Sequence, residues 1–220
     1  MAGFKAHMAF GMLAGFSWAV FSLFLALISF WFAPIVFVAG LFGSFLPDLD
    51  SDTGKPIKIL LISSGLFCAV ITGVYLYEIN ETEIKLFILY TLGVFLFVYF
   101  VLGGIFKKLT HHRGIFHSIP AALLSSLLIL AILNKFNLAL TTKMAISLAV
   151  GIGYLSHLIL DELNSVVNLK GIPFVPNKSS GSALKLYSNN RIVTLFVYIS
   201  VIFLGYYNFE NINSFFSVIF

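Results

Sequence analysis

Between Met8 and Leu46 the chain carries no charged residue over 39 positions. Crossing the hydrocarbon core of a bilayer takes about 20 apolar residues. The run therefore predicts two membrane helices, residues 8–30 and 33–47, joined by a tight connection near Trp31 to Pro34. Pro34 falls in the first turn of the second helix, where its missing N–H costs nothing. The same pattern, continued along the chain, predicts spans at 59–77, 86–106, 119–133, 144–163 and 192–207. The fifth of these, Ile119 to Leu133, is short and needs flanking residues or local thinning to cross. The expected architecture is all-α: a polytopic helical bundle of about seven transmembrane helices, with six as the fallback count. It forms one integral membrane domain over 1–220, with a long loop at 164–190.

Composition agrees with that pattern. Hydrophobic residues make up 60% of the chain and 25 of its 220 positions are Phe, against about 45–50% apolar residues in a soluble domain. Lys5 ahead of the first oily run admits a cleaved signal peptide, but the run far exceeds an h-region of roughly 7–15 residues. Cys68 lies alone in an apolar stretch, so it reads as a small buried hydrophobe and not as half of a disulfide.

Charge supplies the orientation. With the N-terminus inside, the inner segments hold Lys5, Lys55, Lys58, Lys107, Lys108, Arg113, Lys170, Lys178, Lys185 and Arg191, and the outer ones only Lys85, Lys135 and Lys143. That asymmetry predicts N-in, C-out. The net charge of +4 comes from residues scattered over loops and not interleaved with aromatics, so no nucleic-acid partner is expected.

Against this background the polar residues form a pattern. Three of the five histidines stand in Thr110-His111-His112-Arg113-Gly114-Ile115-Phe116-His117-Ser118. Imidazole binds transition metals and exchanges protons near neutral pH. The seven-span topology puts His7, Asp48 and Asp50, His111 to His117, and His157 with Asp161 on one membrane face. His157 and Asp161 are spaced i, i+4, one turn apart on one helix face, and can share one ion or bridge two. The small residues of Gly151 to Ser156 just before them allow close helix approach. Asp48 and Asp50 point the same way only if Pro47-Asp48-Leu49-Asp50 is extended. Gly114 permits the turn that brings His112 and His117 to a common point. His7, Asp48, Asp50, His112, His117, His157 and Asp161 exceed the needs of one tetrahedral ion and suit two, roughly 3.5–4 Å apart.

Each piece also has a plainer reading. His7 alone reads as an interfacial residue, Pro-Asp-Leu-Asp as a helix stop, Lys107 and Lys108 as a membrane-surface pair, and His111 as a reserve ligand or a solvent-facing residue. Arg113 is either a positive-inside anchor or a group that binds a phosphate oxygen. Ionisable groups at the edge of a span, such as His157 and Asp161, are costly and usually functional.

The motifs His112-Arg113-Gly114-Ile115-Phe116-His117-Ser118, Pro47-Asp48-Leu49-Asp50, His7 and His157-Leu158-Ile159-Leu160-Asp161, followed by Gly171 and Pro176, resemble the YdjM/YbcI-like family of bacterial inner-membrane metal-dependent hydrolases. The likeness covers roughly residues 1–190. It implies a multi-span domain in the bacterial cytoplasmic membrane with a cytoplasm-facing metal site, onto which His7, Asp48, His112, His117, His157 and Asp161 map. Phe116 and Asn164 stand where the family usually has threonine, beside the ligands and not at them.

The expected function is a membrane-embedded hydrolase with a dinuclear His/Asp site, holding zinc or else manganese or iron, and acting on a phosphoester or other ester of a lipid-like or membrane-anchored substrate. Asp50 or Asp161 would serve as general base and Arg113 would bind charge on the substrate. The alternative is a non-catalytic membrane scaffold with a structural metal. A transporter finds no support, because spans three, four, five and seven carry no charged residue or histidine. The loop at 164–190 is either a lid over the site or a tether to the last span.

Overall fold

The computed structural model of the protein describes residues 4–50, 58, 61–62, 65–66, 68–69, 72–73, 76, 83–104, 117–166, 184–187 and 190–219. Seven α-helices have both ends among them: α1 (Phe4–Phe24), α2 (Ala33–Phe45), α3 (Ile84–Leu96), α4 (Ile119–Leu133), α5 (Leu140–Val166), α6 (Arg191–Tyr207) and α7 (Phe209–Ile219). The chain divides into two compact units, Met1–Pro47 with Ile115–Phe220, and Asp48–Gly114.

In the first unit, α5 is the central element, with α1, α2 and α4 packed against it. Val36, Ala145 and Ala149 are fully buried at this core. Glycine sets how closely the backbones approach. A Cβ at Gly43 would collide with the Val150 carbonyl, and one at Gly153 with the Gly40 carbonyl. The indole N–H of Trp18 on α1 donates to the Ala145 carbonyl at 2.9 Å, which ties α1 to α5. The small residues expected to admit close approach therefore do so at Gly153.

α1 ends at Phe24, short of the expected boundary at 30, because Ala26 takes a left-handed conformation (φ 53°). The Ala26 N–H then bonds Leu23 O at 3.0 Å and the Leu27 N–H bonds Ser22 O at 2.9 Å, the two closing bonds of a Schellman turn. A 3-10 turn, Phe30–Phe32, leads into α2, which carries Pro34 in its first turn as expected. α2 continues into a 3-10 helix, Leu46–Asp50. Pro47-Asp48-Leu49-Asp50 is therefore wound and not extended. At three residues per turn the alternation that would have aligned the two aspartates is lost.

α4 matches its expected span at both ends. Ser118 caps it, its hydroxyl accepting the Ala121 N–H at 3.3 Å, and Pro120 sits in the first turn. α4 has 15 residues and antiparallel α5 has 27, about 22 and 40 Å. The start of α4 is thus level with the middle third of α5. Ala121 and Ala122 accordingly pack with Tyr154 and Leu158, and His117 lies recessed below the end of α5.

α6 begins at Asn190, whose side-chain oxygen accepts the N–H groups of Ile192 and Val193 at 3.0 and 3.3 Å. A bend of 58° at Asn208 separates it from α7, a helix that hydropathy alone does not mark as a span. Phe215 of α7 is buried in the core, with Ile212 beside it.

In the second unit, α3 runs through a π-helical stretch, Phe97–Leu102, to Gly103 and Gly104. The described residues between Lys58 and Leu76 are helical. Gly65 faces Phe95, Gly73 faces Phe87 and Gly103 faces Leu61, the pairing of two antiparallel helices.

Lys5–Phe24, Phe30–Asp48, Ile84–Val101 and Leu140–Asn164 are long and apolar enough to cross a membrane, and the bent α6/α7 pair makes a fifth if it is one span. α4 is apolar but shorter, and the span expected at 59–77 lies largely outside the described residues.

Candidate metal centre

Two helices and one helix-entry corner deliver polar side chains to the same end of the first unit. His7 comes from the first turn of α1, His117 from the corner before α4, and His157 and Asp161 from successive turns near the end of α5. All four are buried, with 3%, 3%, 0% and 5% of their surface exposed. Because α1 and α4 start where α2 and α5 end, residues far apart in sequence meet without any long excursion of the chain.

The carboxylate of Asp161 is the hub. His7 Nε2 lies 3.2 Å from its Oδ1, while His157 Nε2 and His117 Nε2 lie 3.7 and 3.8 Å from its Oδ2. The rings of His7 and His157 stack, with centroids 3.8 Å apart and planes 12° from parallel, and His117 stands edge-on to His157 at 5.7 Å and 72°. His7, His157 and Asp161 offer ligand atoms all within 4.8 Å of one another. The i, i+4 spacing of His157 and Asp161 thus sets them on one helix face, and His7 lies beside them.

One hydrogen bond fixes how His157 presents itself. Its Nδ1 is 2.8 Å from the carbonyl oxygen of Ser44. A carbonyl only accepts, so Nδ1 carries the proton, and Nε2 is the nitrogen that faces Asp161. This is the way a metal-ligating histidine is usually held, its outer nitrogen bonded to a carbonyl or carboxylate. Ser44 is a partner the sequence did not reveal. Its only signal is its place among the close-packed small residues Gly40, Gly43 and Ser44 of α2.

The donor set fits a divalent transition ion. Metal–nitrogen and metal–oxygen bonds of roughly 2.0–2.2 Å place two ligand atoms of a tetrahedral ion about 3.4 Å apart, and the three observed separations of 3.2, 3.7 and 3.8 Å straddle that value. The two longer ones exceed a good N–H···O hydrogen bond. Imidazoles and one carboxylate suit zinc, manganese and iron alike.

The other expected ligands stand differently. Asp48 opens the second unit; it follows buried Pro47 directly and shares its 3-10 helix. Asp50 ends that helix, and its side chain is outside the described residues, as are His111, His112, Arg113 and residues 167–183 and 188–189 of the loop at 164–190. Within the first unit, the residues brought together are His7, His117, His157 and Asp161.

The sequence model of the YdjM inner membrane protein family matches residues 1–220, the whole chain. No curated protein and no solved structure shows significant similarity to the chain.

Proposed function

The chain belongs to the YdjM inner membrane protein family and is a multi-pass inner membrane protein; from that premise we propose that it is a membrane-embedded, metal-dependent hydrolase. Its His/Asp site lies at the cytoplasmic membrane face and acts on a phosphoester, or another ester, of a lipid-like or membrane-anchored substrate. The observation that carries this reading is the convergence of His7, His117 and His157 on the two oxygens of one buried carboxylate, Asp161.

His7, His117, His157 and Asp161 would hold an ion, and Asp48, Asp50 and His112 are the further ligands the sequence offers for a second; zinc is the first choice, and manganese or iron fit the same donors. A bound divalent ion supplies Lewis acidity and lowers the pKa of a water toward neutrality. The protein's own contributions are positional. Ser44 orients His157, and Asp161 presents one oxygen to His7 and the other to His117 and His157. Asp50 takes the proton of the attacking water, and Arg113 holds a phosphate oxygen through its forked N–H groups. Water adds to the phosphorus or carbonyl carbon and the alcohol leaves with a proton. A recessed site, set by the short α4, favours a substrate already resident in the membrane.

A second reading, a non-catalytic scaffold with a structural metal, is favoured by one observation: exposure of no more than 5% at all four residues, as in closed structural sites. One experiment separates the two. Purified protein is assayed for metal content and for release of headgroup from mixed phospholipid micelles, before and after chelation. Loss of hydrolysis with the melting temperature little changed, reversed by zinc or manganese, supports the enzyme. Collapse of the fold on chelation, with no hydrolysis beforehand, supports the scaffold. Absence of bound metal sinks both.

A further inference from the structure

The segment Leu184–Tyr187 lies against the corner that carries His117. Lys185 pairs with Ser118 as a parallel bridge, and its carbonyl accepts the Ile119 N–H at 3.0 Å. The next carbonyl, that of Leu186, accepts the hydroxyl of Tyr198, from α6, at 2.9 Å. Ser118 directly follows His117 and caps α4 through the Ala121 N–H. The corner bearing His117 is thus held on one side by the cap of its own helix and on the other by the Leu184–Tyr187 strap. That strap is pinned at its far edge by a phenol from a third element. Two successive carbonyls of the strap each have a donor, and that of Leu186 is the Tyr198 hydroxyl.

We infer that Tyr198 is a positioning residue of the metal centre. By holding Leu186 it keeps Lys185 against Ser118, and so keeps His117 turned to Asp161. Nothing in hydropathy or spacing marks Tyr198, which the sequence pattern makes one more aromatic residue in an apolar helix. The inference rests on the metal-binding reading given above, and the experiment tells the two apart.

The full-length protein in detergent, freed of metal, is titrated with Co2+ as the probe. Affinity is read by competition with a chromophoric chelator and ligand geometry by the visible absorption bands. Three forms are compared: the unsubstituted protein, Tyr198→Phe, and the control Tyr206→Phe, which makes the same chemical change on α6 at a position 83% exposed. Removing the α6 hydroxyl that pins the strap should weaken Co2+ binding about three- to tenfold and alter the visible bands. The melting temperature of the metal-free protein should move no more than in Tyr206→Phe, which itself binds as the unsubstituted protein does. Tyr198→Phe with unchanged affinity and spectrum overturns the inference. So does a variant whose only change is a lower metal-free melting temperature, because that marks a structural role. If the unsubstituted protein binds no Co2+, the metal-centre reading falls, and this inference falls with it.

Discussion

The Nδ1–H of His157 bonds the carbonyl oxygen of Ser44 at 2.8 Å, so a backbone atom of α2 decides which nitrogen of an α5 histidine faces Asp161. Ser44 holds that place because α2 and α5 cross in contact, with Gly153 against the carbonyl of Gly40 and its would-be Cβ 3.1 Å from the Ser44 nitrogen. Packing and site chemistry are one arrangement here: what lets the backbones touch also aims the ring.

Replacing the hub or its fixed partner should remove the ion. Partners one bond removed from a metal are worth about 10- to 100-fold in affinity, so Asp161→Asn and His157→Ala should each lose more than that. His7→Ala should follow them, since His7 Nε2 is the closest ring nitrogen to Asp161, at 3.2 Å. Chelator competition on purified protein provides the measurement. Retention of affinity by Asp161→Asn would rule out Asp161 as a ligand.

Glycines should divide by position. At Gly153 an added methyl meets backbone and cannot be relieved by a rotamer change, so Gly153→Ala should cost roughly 1–3 kcal/mol and, by pushing on α2, should also weaken metal binding. Gly205 in α6 has nothing within 4 Å of its would-be Cβ, so Gly205→Ala should be neutral or stabilise by about 0.5–1 kcal/mol. Thermal unfolding in detergent compares the two, and equal effects would contradict the crossing described.

Much of this was readable from residue type. Apolar runs located α4 to the residue, because Ser118, Ile119 and Pro120 form a cap and first turn that need only local chemistry. The pairing of His157 with Asp161 followed from helical spacing. What the sequence hid is tertiary. Ser44 acts through a carbonyl, which every residue has. Lys185 reaches Ser118 through backbone pairing, and Tyr198 is pinned to Leu186 across 12 positions. The wound state of Pro47-Asp48-Leu49-Asp50 was also missed: the preference of residues around proline for extended chain lost to continuation of α2 into a 3-10 turn. α7 escaped for a different reason, since Glu210, Asn211 and Asn213 break its hydropathy while Ile212 and Phe215 still find the core.

Asn208, at the bend between α6 and α7, should be a strong determinant of stability. It is fully buried. Its amide donates to Leu204 O at 2.7 Å and Leu127 O at 3.3 Å, and its Oδ1 accepts from Asn134 Nδ2 at 2.9 Å. Asn208→Leu removes all three and strands the Asn134 amide in an apolar setting, a loss of about 1–3 kcal/mol. Asn134→Leu alone should cost less, and the double variant less than the sum, because the second change removes a group the first has left bare. Unfolding midpoints of the three forms check this; simple additivity would mean that the two side chains do not interact.

The turn after α1 offers a change of opposite sign. Ala26 sits at φ 53°, in the left-handed region where a Cβ costs roughly 1–2 kcal/mol and where helices usually end on glycine. Glycine at this position relieves that strain while keeping both closing bonds, Ala26 N–H to Leu23 O and Leu27 N–H to Ser22 O. Part of the gain is returned as the greater freedom of glycine in the unfolded chain. Ala26→Gly should therefore raise stability by about 0.5–1 kcal/mol, seen as a higher melting temperature. Metal affinity should be unchanged, since the turn lies at the opposite end of α1 from His7. Ala26→Val, with a branched Cβ in the same conformation, should lower the melting temperature, and a rise in both variants would mean that α1 does not end in a left-handed turn.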